Sequence, residues 1–144
     1  MKPSSAQKTL RFFSVIEFIT GIIFLVFTVL IILGMIAVLR DNEALAKRTA
    51  QNMPSIILGM VTMLGNAVLM FVQWHSLRVL SRDETKHEET LTVTMIVMAF
   101  ELFNFIISLD KGAPRNVGTL AASFLANMVI LSLIAKVRRQ TGRE

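Results

Sequence analysis

The chain of 144 residues contains no cysteine. Disulfides, thiol nucleophiles and thiolate metal sites are therefore excluded, and the redox compartment is left open. Histidine is scarce as well. His75 and His87 lack the paired spacing of a metal or haem site. Charge is the third shortage: only 17% of residues are Asp, Glu, Lys or Arg, against roughly 25% in an ordinary soluble domain. No Asn-x-Ser/Thr acceptor occurs, which fits a bacterial protein. There is no nucleotide-binding loop, nucleophile elbow or Ser/His/Asp set at one depth. The expectation is a protein that is not an enzyme and carries no metal or cofactor.

Apolar residues dominate instead, at 53% with a mean hydropathy of +0.62. A soluble chain of this size could not cover so much apolar surface with so few charges. The charges also cluster between long apolar runs, the pattern of a polytopic membrane protein. Residues 1–144 read as one domain. The net charge of +5 and pI near 10.3 place basic residues beside membrane spans. No basic patch interleaved with aromatics points to nucleic acid.

Four spans follow, at about 12–39, 55–77, 91–109 and 117–135. Their lengths require helices, because backbone groups in lipid must be satisfied within the segment. The first run, Phe12 to Leu39, is too long for a cleavable signal core of roughly 7–15 residues and reads as a retained span. Pro54 and Pro114 precede the second and fourth spans, where a missing backbone donor costs nothing. Trp74 is the expected interfacial anchor. The loop from Asp41 to Asn52 has a capping residue and good helix formers, and predicts a short helix. Ser81-Arg-Asp-Glu84 fits a capping box before the third span.

Lys and Arg fix the expected orientation. The two termini and the second loop hold ten of them, and the first and third loops hold five. The positive-inside rule then places both termini in the cytoplasm of a cell membrane. The fold class is an all-α integral membrane protein, a four-transmembrane-helix bundle. Similar segments, Met63-Leu-Gly-Asn66 and Phe124-Leu-Ala-Asn127, each follow a span carrying a glutamate. This suggests two repeated helical hairpins.

Polar residues inside the spans carry the functional question. Glu101 lies near the middle of its span, where a charge costs about 2.5–3.5 kcal/mol on insertion scales. Such a carboxyl must find a partner, reach water or stay protonated. Thr94, Glu101, Asn104 and Ser108 share one helix face. Similar rows run through Ser14, Glu17, Gly21 and Thr28, through Gly59, Thr62, Asn66 and Gln73, and through Thr119, Ser123 and Asn127. The rows should turn inward. Amides such as Asn66 and Asn127 read first as glue between helices. Glu101 is titratable and reads as a functional candidate, whereas Glu17 is close enough to its span's start to reach the interface. Gly118, Ala122 and Ala126 form a small-residue row that lets another helix approach.

Two functions are compatible with these residues. The leading one is helix–helix association, with itself or another membrane protein, as an accessory, regulatory or protective subunit in the lipid bilayer. The alternative is a proton-coupled small-solute transporter or ion pathway, with Glu101 as the protonation site and Asn66, Asn104 and Asn127 lining the cavity.

Overall fold

The computed structural model describes residues 4–41, 43–110 and 115–141, and among these the chain forms helices joined by short turns. The order is α1 (Ser5–Asp41), α2 (Glu43–Gln51), α3 (Met53–Leu80), α4 (His87–Asp110) and α5 (Arg115–Thr141), with a 3-10 turn at Glu84–Lys86 before α4. Four of these helices are long and apolar enough to cross a membrane. The fifth, α2, is the short helix expected between the first two spans. Pro114 and Asn42 lie outside the described residues, as do the side chains of Ser108 and Thr119.

Each long helix overruns its expected span. Hydropathy marks where lipid ends, but the hydrogen-bond ladder continues until something stops it. At the start of α1 that something is a reciprocal cap. The Gln7 backbone N–H donates to Ser4 Oγ at 3.3 Å, and the Ser4 N–H donates to Gln7 Oε1 at 2.7 Å, a capping box. The helix therefore begins at Ser5, and Glu17 lies about three turns into it.

The turn before α4 corrects a detail of the sequence reading. Ser81 does not cap; its hydroxyl donates to the Arg78 carbonyl at 2.7 Å. The cap is Asp83, whose Oδ1 accepts from the Thr85 N–H at 3.0 Å and the Thr85 hydroxyl at 2.6 Å. Those two bonds favour the ionised form and hold the Asp83 carboxyl below its ordinary value.

The chain divides into two compact units, Met1–Phe18 with Phe71–Glu144, and Ile19–Met70. In the first, the start of α1 and the end of α3 meet the end of α5 in an apolar core of Ala6, Leu10, Leu77, Leu80, Ile130, Ile134 and Val137. Leu91, near the start of α4, packs against it. Four helix ends thus converge at one level, two helices beginning there and two ending there. A shared hydrogen bond, from the Thr90 hydroxyl to the Ser76 carbonyl at 3.3 Å, ties α4 to α3. In the second unit Gly21 and Thr28 of α1 and Ala67 and Met70 of α3 are buried. Most other large side chains of α1 there are exposed, including Ile22, Val26, Leu30 and Leu33. A helix apolar all round is suited to lipid.

Candidate polar site between the four long helices

Each long helix buries one stripe with helical spacing. On α1 the stripe is Leu10, Ser14, Glu17, Gly21 and Thr28; on α4 it is Thr90, Thr94, Val97, Glu101 and Asn104. The stripes change character along their length. Within the first unit the level nearest the converging helix ends is mainly apolar, with Gln7, Ser76, Ser81 and Thr90 buried among the aliphatic side chains. The level beyond it is richer in polar groups: Ser14, Glu17, Gln73, Thr94, Glu101 and Asn127 are all buried. The expected inward rows are therefore present on α1 and α4. On α3 the row splits, because Gly59 is exposed and Asn66 half-buried while Gln73 is fully buried.

Asn127 is the hub of the polar level. Its Oδ1 accepts from Gln73 Nε2 at 2.7 Å. Its Nδ2 donates to Glu101 Oε2 at 3.0 Å and to the Ser123 carbonyl at 3.2 Å. The Ser123 hydroxyl donates to the other carboxyl oxygen, Glu101 Oε1. Glu101 thus receives a donor on each oxygen, both from α5. Glu17 completes the set from α1. Its carboxyl is within electrostatic range of the Glu101 carboxyl. Next in sequence to Glu17 and Gln73, the Phe18 and Trp74 rings pack at 4.9 Å between centroids, which brings α1 and α3 together at this level. Gln73, Asn127 and Glu101 are thus joined in one hydrogen-bonded chain across α3, α5 and α4, with the Glu17 carboxyl of α1 within electrostatic range of Glu101.

The balance of donors and charges is uneven. Gln73 Oε1 is buried and, among the described residues, has no hydrogen-bond partner. The ion pair found among the described residues is Lys86–Glu89 at 3.3 Å, on the surface, where such pairs contribute little. It leaves the Glu17 and Glu101 pair without a cationic side chain. No group of three or more His, Cys, Asp or Glu suited to a metal occurs among the described residues.

Beside the polar level, α4 and α5 enclose a cleft of roughly 360 Å³. Its walls are apolar: Leu102, Phe105, Leu120, Ala121, Phe124 and Leu125, with Glu101 reaching it from behind. Leu102 and Leu125 are exposed, so the cleft opens sideways.

The remaining candidates fall elsewhere. Asn104 is buried one turn beyond Glu101 on the same stripe. Asn66 belongs to the other compact unit. Trp74 is half-buried, packed on Phe18, and the Arg78 guanidinium lies 5.6 Å from its ring centre. Gly118 and Ala122 are exposed and Ala126 half-buried, and a Cβ built on Gly118 meets nothing within 4 Å. The small-residue row therefore does not pack this chain's own helices closely at Gly118. Gln73 and Ser123 are site residues that sequence reasoning did not single out. The signal was present, because Gln73 is two turns from Asn66 on one face and Ser123 one turn from Asn127. No protein-family profile, characterised protein or solved structure matches the chain.

Proposed function

We propose that the protein is a small multi-pass membrane protein that handles protons or cations at its polar level, as a proton-coupled small-solute transporter or ion pathway. Glu101 is the protonation site in this reading, Glu17 its electrostatic partner, and Asn127 and Gln73 the groups that orient the pair. The observation that carries it is the hydrogen-bonded chain Gln73–Asn127–Glu101 with a second buried carboxyl, Glu17, within electrostatic range of Glu101 and no cationic partner for either among the described residues. Packing alone needs amides and hydroxyls, not a second acid. The apolar level beside it keeps water from that side, which strengthens electrostatics within.

Carboxyl protonation is read directly by infrared spectroscopy in sodium-free choline buffer. The protonated-carboxyl band of the wild type is expected to titrate reversibly with bulk pH and to lose amplitude in Glu101→Gln and Glu17→Gln. A folded wild type whose carboxyls never titrate overturns the reading. Association as an accessory subunit then takes its place. One observation favours it independently: the exposed Gly118 and Ala122 leave a surface for a helix of another molecule. A stoichiometric partner in native mass spectrometry is the corresponding result.

The membrane arrangement belongs to the same proposal. Both termini and the α3–α4 turn lie in the cytoplasm, in keeping with the lysine and arginine count and with the helix ends that meet at one level. α1 and α4 then run parallel, as do α3 and α5, as in two hairpins repeated about an axis along the membrane normal. The absence of native cysteine makes the orientation simple to test. Single variants Ser5→Cys, Thr85→Cys and Gln140→Cys are expected to react with an impermeant maleimide only from the cytoplasmic face, and Ala46→Cys only from the other. Labelling of Thr85→Cys and Ala46→Cys from one face contradicts the four-span threading.

A further inference from the structure

The helix ends that converge in the first unit carry charge of one sign on three of their four helices. The cations are Lys8 and Arg11 of α1, Arg78 of α3, and Lys136, Arg138 and Arg139 of α5, and all six are exposed. Among the described residues the ion pair is Lys86–Glu89, which leaves all six without an acidic partner. The acids of this end, Asp83, Glu84, Glu88 and Glu89, lie together in the turn before α4 and in its first turn. They have local roles. Asp83 caps the turn, and acids in a helix's first turn complement its dipole. The dipole also accounts for Arg78, Arg138 and Arg139, which lie in last turns. It does not account for Lys8 and Arg11, near the start of α1, the end of a helix that disfavours a cation. Three of the cations also share a depth. Arg11, Arg78 and Lys136 stand immediately outside the apolar runs 12–39, 55–77 and 117–135. Their neighbours in sequence, Leu10, Leu77 and Val137, belong to one buried core, which sets the three at a common level of the unit. Cations at the edge of apolar spans lie at the depth of lipid headgroups.

We propose that these helix ends bind anionic phospholipid headgroups, with Arg11, Arg78 and Lys136 meeting the phosphates along α1, α3 and α5. Charge complementarity commits the surface to lipid rather than to nucleic acid or an acidic protein, because the cations stand at the edge of apolar spans and not on a domain beyond them. Trp74 lies one turn before Arg78, whose guanidinium is 5.6 Å from the ring centre, and tryptophan favours the same headgroup depth. The inference rests on the membrane arrangement proposed above and is independent of ion handling.

Trp74 is the chain's one tryptophan, so its fluorescence reports the lipid beside Arg78. The test reconstitutes the full-length protein into phosphatidylcholine vesicles. A rising fraction of their lipid is replaced by brominated phosphatidylcholine or by brominated phosphatidylglycerol, whose bromine quenches a tryptophan close to it. Phosphatidylglycerol is expected to bind beside Trp74 about fivefold more tightly than phosphatidylcholine, the gain from one cation near a lipid surface. Arg78→Gln should at least halve that preference. The triple variant Arg11→Gln, Arg78→Gln, Lys136→Gln should bring it to parity, and Lys47→Gln, on α2, should leave it unchanged. Should the variants fail to reconstitute, salt decides on the wild type. At about 1 M sodium chloride screening acts within roughly 3 Å, and the preference should fall. Equal quenching by the two lipids overturns the proposal, and so does a preference that persists in the triple variant or at high salt. Quenching by neither lipid takes Trp74 out of the bilayer and removes the membrane arrangement beneath the proposal.

Discussion

Replacing Asn127 by leucine is expected to destabilise the folded protein by about 2 kcal/mol, the largest effect of any single change in the polar level. Leucine is of similar size, so the loss is one of hydrogen bonding rather than volume. Three bonds disappear. Gln73 Nε2 loses its acceptor, Glu101 Oε2 loses its donor, and the Ser123 carbonyl loses a second donor. Interhelical hydrogen bonds in membranes average only about 0.6 kcal/mol by double-mutant cycles. The magnitude here comes from what is left behind: a fully buried amide and a carboxyl short of a partner. Leaving a buried polar group unsatisfied costs about 1–3 kcal/mol. Unfolding by titration with a denaturing detergent gives the number. A double-mutant cycle with Glu101→Leu isolates the pair. Once Asn127 is gone, removing Glu101 should cost less than in the wild type, because the two residues share one network. Strict additivity would show that the Asn127–Glu101 bond contributes nothing.

The second large effect belongs to the apolar level. Leu77→Ala is expected to cost about 2–5 kcal/mol. Leu77 is 0% exposed in a cluster fed by α1, α3 and α5, with α4 packed against it. Its removal opens a cavity where those helices meet, and dispersion contacts are lost whether the surroundings are water or lipid. A matched control separates this from a general penalty on shortening leucines. Leu102 is 51% exposed on α4, and Leu102→Ala should fall within about 0.5 kcal/mol of the wild type. Comparable losses at both positions would mean that the apolar level does not hold the helix ends together. The two substitutions also separate the levels functionally. Leu77→Ala should leave the protonated-carboxyl band in place at permissive temperature, whereas Asn127→Leu should shift it, since it removes a donor to Glu101.

Helical class and the number of helices long and apolar enough to cross a membrane were legible because they follow from local properties. Apolar runs of this length, with polar connections, leave the backbone no alternative to helices in a membrane. The inward stripes were legible for a similar reason. Ser14, Glu17, Gly21 and Thr28 repeat with helical spacing, and all four are buried. Helix ends were less legible, because hydropathy does not see caps. The Ser4–Gln7 cap lengthens α1 past its apolar run, and Asp83 rather than Ser81 caps the turn before α4. Glu101 was identifiable as a candidate from its depth alone.

Which residues meet Glu101 was a different kind of question. Asn127 and Asn66 looked alike in sequence, each some twelve residues beyond a proline and flanked by similar apolar side chains. Nothing local distinguishes them. The structure ties Asn127 to Gln73 and Glu101, while Asn66 falls in the other compact unit. Glu17 shows the same limit. Nothing along the chain pairs it with Glu101; folded, its carboxyl comes within electrostatic range of the Glu101 carboxyl. Sequence determines the face on which a side chain emerges, because the helix has a fixed period. It does not determine the level at which two helices are set against each other. That offset is a property of packing between residues far apart in the chain, here Leu10 with Leu77 and Ile134, and it is what brings two acids together.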